Sequence, residues 1–194
     1  METRNPKFIV GIGGSAGGLN AYKALLDALA PDTAMAFVIV AHLYPTANSQ
    51  LAEILSRHTI MPVTVASTGK AIRANHVYVI PPNADLLVEG KAFKVISPRT
   101  RRNAQVDLFF SSLAEGVGPR AIGIVVSGYD GDGTAGCKQI KAKGGTTFAQ
   151  DMSAEVNLMP QHAEAAGCVD FVLPPDKIAS ELKRLAGASR RKRQ

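Results

Sequence analysis

The chain of 194 residues is 46% hydrophobic and 20% charged, which is enough apolar material for one globular domain with a real core. It has no run of about 18 apolar residues, so no membrane span is predicted, and its first residues lack the apolar stretch of a secretory signal. The net charge of +6 falls mostly on the C-terminal run "RRKR" (190–193), and aromatic residues are sparse, which disfavours nucleic-acid binding. We therefore expect a cytoplasmic protein with one domain over 1–187 and a disordered basic tail over 188–194.

Apolar runs alternate with helical patterns along the chain. In chain order, the patterns predict a strand at 8–12, a helix at 19–30, a strand at 35–41, a helix at 47–58, a strand at 62–66, three short runs at 76–80, 85–90 and 91–96, a helix at 106–117, a strand at 121–127, a helix at 134–144, a strand at 146–150, a helix at 159–167, a strand at 168–173 and a helix at 175–186. The three short runs are separated by turn-forming residues, which is typical of a hairpin.

Continuous apolar strands separated by helices indicate a parallel sheet that is covered on both faces. The sequence therefore predicts an α/β fold: a doubly wound, mostly parallel sheet in three Rossmann-like layers, with one antiparallel hairpin. In such sheets, binding and catalytic sites form at the carboxyl ends of the strands.

Polar residues of catalytic type follow three of the predicted strands. Ser15 lies in the glycine-rich loop of "IVGIGGSAGG" (9–18), His42 follows the second strand, and "SGYDGDG" (127–133) places Asp130 and Asp132 after the strand at 121–127. Taken alone, each residue type more often has a structural role, as a helix cap, a turn residue or a phosphate ligand. Together, a serine, a histidine and a carboxylate at one edge of a sheet favour a nucleophilic relay.

The glycine-rich loop also fits a dinucleotide-binding pattern. Gly11, Gly13 and Ala16 match G-x-G-x-x-A, which requires an acidic residue at the end of the second strand to bind the ribose. Here that strand ends in Ala41 and His42. The absence of an acid at this point disfavours a dinucleotide cofactor.

A second pattern, G-x-S-x-G, is matched by Gly13, Ser15 and Gly17, and it is typical of a sharp turn that exposes a nucleophilic serine. The order of residues in that class allows a second triad of Ser15, Asp132 and His162, although its serine normally follows several strands rather than the first. The four histidines and two cysteines show no zinc-ligand spacing. We expect neither a metal nor a cofactor.

Seven segments of the chain resemble one known family. They are "VGIGGSAGG", "VIVAHL", "HVYVIPPNADL", "VDLFFSSLA", "AIGIVVSGYDGDGTAG", "TTFAQD" and "MPQHAEAAGCVDFVLP". In this order they resemble the catalytic domain of CheB-type protein-glutamate methylesterases, over about residues 8 to 185. The resemblance implies hydrolysis of glutamate γ-methyl esters on chemoreceptor cytoplasmic helices, and in some members deamidation of glutamine at the same positions.

The resemblance also implies roles for individual residues. Ser15 matches the nucleophile, His42 the base and Asp132 the orienting acid, while Asp130 is not the matching aspartate. The backbone amides around Ala16 and Tyr129 are our candidates for the oxyanion hole.

A basic cluster follows the predicted hairpin. Receptor methylation helices are acidic, so Arg101 and Arg102, together with Arg99, are candidates for docking the substrate. The partner implied is the methylated cytoplasmic domain of a chemoreceptor, without nucleic acid and without membrane insertion. Classical members also carry an N-terminal receiver domain, and we expect none in this chain.

The chain departs from the family pattern at several positions near the site. Many members have threonine where this chain has Ala16, and Met-Gly where it has Tyr129 and Asp130, which adds a bulky ring and a negative charge. Where an Arg-Pro pair is common, this chain has Asn103 and Ala104. These departures keep open a second reading, a signalling or binding module that has kept the fold without the catalysis.

Overall fold

The computed structural model describes residues 5–43 and 50–191. Within them the strands are β1 (Ile9–Gly14), β2 (Ala36–Ala41), β3 (Val63–Val65), β4 (His76–Val79), β5 (Asp85–Glu89), β6 (Ala92–Ile96), β7 (Ala121–Val125), β8 (Thr146–Gln150) and β9 (Phe171–Leu173). The helices are α1 (Gly18–Ala28), α2 (Leu51–Ser56), α3 (Gln105–Val117), α4 (Thr134–Ala142), α5 (Leu158–Ala165) and α6 (Pro175–Arg191), with a 3₁₀ turn at Gly118–Arg120.

Seven strands form one sheet in the order β3-β4-β2-β1-β7-β8-β9, and each neighbouring pair is parallel. The strands β5 and β6 pair with each other in antiparallel fashion. The predicted doubly wound fold with one antiparallel hairpin is therefore confirmed. The chain winds outward from β1 in one direction through β2 and in the other through β7, so the direction of winding reverses at the end of β1.

One predicted element lies in a different place. The run 76–80 was assigned to the hairpin, but it forms β4, which pairs in parallel with β2 and β3 inside the main sheet. Val77, Tyr78 and Val79 are all buried, as expected of a strand with both faces covered. The turn after β4 therefore leads out of the sheet into the hairpin rather than back along a partner strand.

The helices cover both faces of the main sheet with two apolar clusters. On one face, α1 and α6 pack against the strands through large buried side chains, including Tyr22, Leu25, Leu26, Ile178 and Leu182. On the other face, α3, α4 and α5 contribute Phe109, Phe110, Leu113, Ile140 and Met159, and the hairpin adds Leu86 and Phe93 to the same cluster. These three layers fix where the loops at the carboxyl edge of the sheet meet.

Helix α3 approaches β1 closely because β1 carries glycine where the two meet. A Cβ atom added at Gly13 would overlap the side chain of Val106 at the start of α3. The glycines of β1 therefore allow the N-terminus of α3 to lie against the end of β1, beside the loop that contains Ser15.

The ends of two predicted helices differ from the sequence pattern. Helix α2 begins at Leu51, and residues 47–49 of its predicted range lie outside the described residues. Helix α6 continues to Arg191, past its predicted end at 186. None of the helices formed by residues 5–43 and 50–191 combines the length and the apolar character needed to cross a membrane.

Candidate active site

Ser15 and His42 leave the sheet side by side. The parallel register of β1 and β2 pairs Gly14 with Ala41, so the next residue on each strand is Ser15 or His42. The backbone N–H of His42 donates to the carbonyl of Gly14 at 3.3 Å, and the N–H of Ser15 donates to the carbonyl of Ser127 at 2.8 Å. Ser15 is thereby held between the ends of β2 and β7.

His42 and Asp132 reach each other from opposite sides of β1. His42 follows β2, and Asp132 lies in the loop after β7. The His42 Nε2 atom is 2.7 Å from Asp132 Oδ2, and the two side chains are 7% and 0% exposed. This short contact, almost closed to solvent, joins an imidazole to a carboxylate directly beside the loop that carries Ser15.

The N-terminus of α3 holds the Asp132 carboxylate. The backbone N–H of Val106 donates to Asp132 Oδ2 at 2.9 Å, and the N–H of Asp107 donates to Oδ1 at 2.8 Å. Both amides lack partners within their own helix because they lie in its first turn, where the helix dipole also favours negative charge. Together with His42, they give the Asp132 carboxylate three donors.

Asp107 makes a matching contact to the next helix. Its Oδ1 accepts from the N–H of Gly133 at 2.9 Å and from the N–H of Gly136 at 2.8 Å, at the N-terminus of α4. Burial raises the pKa of Asp107; the amides of Gly136 and Gly133 counteract this rise, and the nearby charge of Asp132 adds to it. The C-terminal end of the loop that carries Asp132 is thus fixed by hydrogen bonds at the N-termini of α3 and α4.

The second ring nitrogen of His42 has no hydrogen bond. Nδ1 is buried without a hydrogen-bond partner, and the nearest charged oxygen is Oδ2 of Asp130, at 3.5 Å. Among the described residues, no hydrogen bond joins the Ser15 hydroxyl to the His42 ring. Because Nε2 is occupied by Asp132, Nδ1 is the ring atom that remains to receive a proton from a neighbouring hydroxyl.

A cleft of about 640 Å³ opens above these residues. Its lining combines the candidate relay with basic and aromatic side chains: Ser15, Ala16, His42, Leu43, Arg99, Arg102, Asn103 and Tyr129. Arg99 Nη1 donates to the carbonyl of Leu43 at 3.4 Å. Of the three arginines proposed from the sequence, Arg99 and Arg102 line the cleft, whereas Arg101 is exposed next to it.

Asp85 at the start of β5 anchors the loop that carries these arginines. Its Oδ2 accepts from the N–H and the hydroxyl of Thr100 at 2.7 and 2.6 Å, and its Oδ1 accepts from Gln105 Nε2 at 3.0 Å. Burial of the Asp85 carboxyl opposes its charged form, but the hydrogen bonds from Thr100 and Gln105 outweigh burial and lower its pKa. The hairpin thus determines where the arginines lie.

Ala16 and Tyr129, which carry the two proposed oxyanion donors, line the same cleft. Among the described residues, neither the N–H of Ala16 nor that of Tyr129 donates to another residue. The Ser127 hydroxyl donates to the carbonyl of Ala16 at 2.7 Å and accepts from the N–H of Val156 at 2.9 Å. These bonds tie the loop after β1 to the loop before α5.

His162, the alternative triad histidine, lies on α5 and makes a different contact. Its Nδ1 donates to the backbone carbonyl of Asp130 at 3.2 Å, with the ring exposed. The structure therefore brings His42, and not His162, to the Asp132 carboxylate. In the described part of the chain, no group of three or more histidine, cysteine or acidic residues could hold a metal ion.

Three residues of this network were not identified from the sequence: Ser127, Asp107 and Asp85. Ser127 begins "SGYDGDG", which drew attention to its aspartates. Asp107 lies in the first turn of a helix, where an acidic residue usually interacts with its own N-terminus, so nothing in the pattern indicates a contact to another helix. Asp85 begins a strand, and its partners are 15 and 20 residues away.

The fold and the site together define a class of protein. A serine, a histidine and a buried aspartate at the carboxyl edge of a doubly wound sheet, below an open cleft, form the arrangement typical of serine hydrolases. The family model described as CheB methylesterase matches residues 10–182. The chain belongs to this family, and the resemblance seen in the sequence is confirmed.

Known relatives match along nearly the whole chain. A protein from Leptospira interrogans is 35% identical over 178 residues, which cover 90% of this chain and 92% of that protein. Protein-glutamate methylesterase/protein-glutamine glutaminase 3 from Burkholderia orbicola is 37% identical over 97% of this chain, and number 1 from Xanthomonas euvesicatoria is 32% identical over 98%. The chain spans 57% and 55% of the length of these last two relatives.

A solved structure agrees with the fold. The catalytic domain of Thermotoga maritima CheB methylesterase matches with a TM-score of 0.84 and 27% sequence identity, covering 92% of this chain and 98% of that one.

Proposed function

We propose that this protein hydrolyses glutamate γ-methyl esters on the cytoplasmic helices of methylated chemoreceptors, through an acyl-enzyme formed on Ser15. One observation carries the proposal: His42 holds Asp132 through Nε2 at 2.7 Å, while its buried Nδ1 lacks a hydrogen-bond partner next to Ser15. Membership of the CheB methylesterase family and the names of the relatives support ester hydrolysis as the reaction.

The first half of the reaction transfers the acyl group to Ser15. His42 Nδ1 takes the proton as the Ser15 O–H bond breaks and a bond forms between Oγ and the ester carbonyl carbon. Asp132 keeps Nε2 protonated and stabilises the imidazolium that results. The proton on Nδ1 then moves to the departing methoxide oxygen, and methanol leaves.

The second half releases the product by the same route in reverse. Water gives a proton to His42 Nδ1 and attacks the acyl carbon, and the proton returns to Ser15 Oγ as the ester bond to the enzyme breaks. The glutamate carboxylate is released and the serine is regenerated.

The oxyanion of each tetrahedral intermediate requires donors on the other side of the cleft. We assign this role to the backbone N–H groups of Ala16 and Tyr129, which face the cleft without another described acceptor. The N-terminus of α1 follows Ser15 directly and favours negative charge at the same point. Loss of one such donor typically lowers kcat by ~10²–10³.

The arginines beside the cleft match an acidic partner. Arg99 and Arg102 line it, and we propose that they, with Arg101 next to them, guide the acidic methylation helix of a receptor into place. The substrate helices lie in the cytoplasm, and we place the reaction there.

Deamidation of glutamine is a second reaction that the same residues can perform. The amide carbonyl accepts Ser15 Oγ as an ester does, and ammonia leaves with the proton from His42 in place of methanol. The names of the Burkholderia and Xanthomonas relatives include both activities.

A non-catalytic module is the alternative function, and one observation favours it: the Ser15 hydroxyl makes no hydrogen bond to His42 among the described residues. Such a module would bind a partner tightly without turning it over. A dinucleotide-binding protein is disfavoured further. The residue after β2 is His42, which contacts Asp132, and not an acidic residue that could bind a ribose.

The deciding experiment measures methanol release from a receptor cytoplasmic fragment methylated in vitro. We expect turnover by the wild type, its loss in Ser15→Ala and its retention in the control Ser56→Ala, which removes an exposed hydroxyl at the end of α2. His42→Ala is expected to lose activity and His162→Ala to keep most of it. Full activity of Ser15→Ala would show that the proposed nucleophile is wrong.

A further inference from the structure

A second carboxylate faces the base nitrogen of His42. Oδ2 of Asp130 lies 3.5 Å from His42 Nδ1, and the Asp130 side chain is 31% exposed while that of His42 is 7% exposed. Since Asp132 contacts Nε2, each ring nitrogen of one buried histidine has its own carboxylate. The mechanism above uses Asp132 and leaves Asp130 without a role.

The local backbone fixes the direction of the Asp130 side chain. Its Oδ1 accepts from the N–H of Asp132 at 3.1 Å, a turn that aspartate commonly forms with the residue two positions later. Its backbone carbonyl accepts from His162 Nδ1 at 3.2 Å. Held in this way at two points, Asp130 presents its other oxygen, Oδ2, to His42.

The interaction between Asp130 and His42 becomes stronger during the reaction. When His42 is neutral and Nε2–H donates to Asp132, Nδ1 carries a lone pair, which gains nothing from a nearby carboxylate. When Nδ1 takes the proton of Ser15, the ring becomes positive, and the Asp130 carboxylate then lies 3.5 Å from the charged nitrogen. The interaction is therefore stronger in the charged intermediate than in the resting enzyme, which is the condition for an interaction to raise a rate.

We propose that Asp130 is a positioning residue that acts through His42: it stabilises the protonated ring and keeps Nε2 turned toward Asp132. The proposal rests on the proposed function, in which His42 is the base.

Other charged groups face His42 and set the background for this effect. Asp132 contacts Nε2 from the loop after β7, and Arg99 and Arg102 line the same cleft from the loop before α3, with Tyr129 as the remaining titratable side chain. The arginines act in the opposite sense to Asp130. A change at Asp130 alone leaves all of them in place.

Asp130→Asn tests the proposal, because the amide oxygen can still accept from the N–H of Asp132 while the charge is lost. Asp32→Asn is the matched control, an exposed aspartate between α1 and β2 at the amino edge of the sheet. We measure kcat and KM for methanol release at neutral pH for both. In Asp130→Asn we expect kcat to fall several-fold with KM unchanged, because the charged ring forms only after the substrate has bound, with no change in Asp32→Asn.

A second readout is independent of catalysis. The Nε2–H proton signal of His42, which reports its hydrogen bond to Asp132, is followed by NMR in the wild type, in Asp130→Asn and in Asp130→Ser, where the hydroxyl retains the turn. A displaced or lost signal in a folded variant supports the proposal, and an unchanged signal with an unchanged kcat overturns it. If the wild type releases no methanol, the proposed function fails, and the NMR signal alone decides whether Asp130 acts on His42.

Discussion

Asp132 and Asp107 each accept hydrogen bonds from the N-terminal amides of a neighbouring helix. Asp132 accepts from amides at the start of α3, including that of Asp107, and Asp107 accepts from amides at the start of α4, directly after Asp132. The packing of α3 on α4 therefore fixes the carboxylate that contacts His42. A side-chain geometry held by two helices is less dependent on its loop than one held by the loop alone.

Two replacements of Asp132 should separate its effect on the rate from its effect on stability. Asp132→Asn keeps the shape but loses the charge, so the His42 ring is held in the wrong tautomer, and we expect kcat to fall by roughly 10⁴. Asp132→Ala also leaves two helix amides without an acceptor, and its free energy of unfolding should fall by about 1–3 kcal/mol. Methanol release and urea denaturation measure the two effects. An Asp132→Asn enzyme with an unchanged rate would contradict the role of this carboxylate.

Asp107 should make stability depend on pH. Burial raises its pKa, so the folded protein binds this proton more tightly than the unfolded chain. Its contribution is complete below the ordinary aspartate pKa and is lost as pH rises through the raised value. Asp107→Asn keeps an acceptor for the amides of Gly133 and Gly136, which both bond to Oδ1.

As pH rises from about 4 to about 7, the wild type should lose this contribution while Asp107→Asn does not. The free energy of unfolding of the variant minus that of the wild type should therefore be larger at pH 7 than at pH 4. Urea denaturation of both proteins at the two pH values tests this. If the free energies of unfolding of variant and wild type differed by the same amount at both pH values, the Asp107 carboxyl would have the same pKa in the folded and the unfolded chain.

Asp85 should stabilise the fold and position the arginines together. Asp85→Ala removes the acceptor for Thr100 and Gln105, and we expect a loss of about 2–3 kcal/mol in the free energy of unfolding. Because the pKa of Asp85 is lowered, its contribution is present above the ordinary aspartate pKa and is lost as pH falls through the lowered value. The difference between variant and wild type should thus narrow below about pH 4. The KM for methylated receptor should rise in parallel at neutral pH.

Charge reversal in the cleft should weaken docking in a salt-dependent manner. We expect Arg99→Glu and Arg102→Glu to lower kcat/KM for methylated receptor, with a larger effect at low ionic strength because salt screens the attraction. Arg101→Glu should have a smaller effect, since Arg101 lies beside the cleft. Arg57→Glu is the control, an exposed arginine at the C-terminal end of α2 that pairs with Glu53. Equal loss in Arg57→Glu would indicate a general effect of net charge.

Most of the fold could be predicted because its strands are continuous apolar runs. The strand at 146–150 has the predicted bounds, and β1 and β2 differ from theirs by one or two residues. The run 76–80 was misplaced because its neighbours, "PPNA" and two short runs, are typical of hairpins. Its partner β2 is distant in sequence, and local patterns do not show which strands pair.

The candidate site was less accessible from the sequence. The positions of Ser15, His42 and Asp132 at strand ends indicated one edge of the sheet, since parallel strands share a direction. The hydrogen bonds that Asp107 and Asp132 accept from helix N-termini depend on the packing of α3 on α4, which no local pattern shows. The sequence indicated a negative charge near the site at Asp130, but the 3.5 Å distance between its carboxylate and His42 depends on how the loop after β7 lies next to the end of β2.

Labelling of Ser15 by a fluorophosphonate tests the central claim most directly, because the reagent reacts with a serine hydroxyl that a neighbouring base activates. Mass spectrometry of the intact protein and of its peptides should find one adduct on Ser15, absent in Ser15→Ala, much slower in His42→Ala and unaffected in His162→Ala. An unlabelled Ser15 in folded protein, or equal labelling of wild type and His42→Ala, would contradict the account.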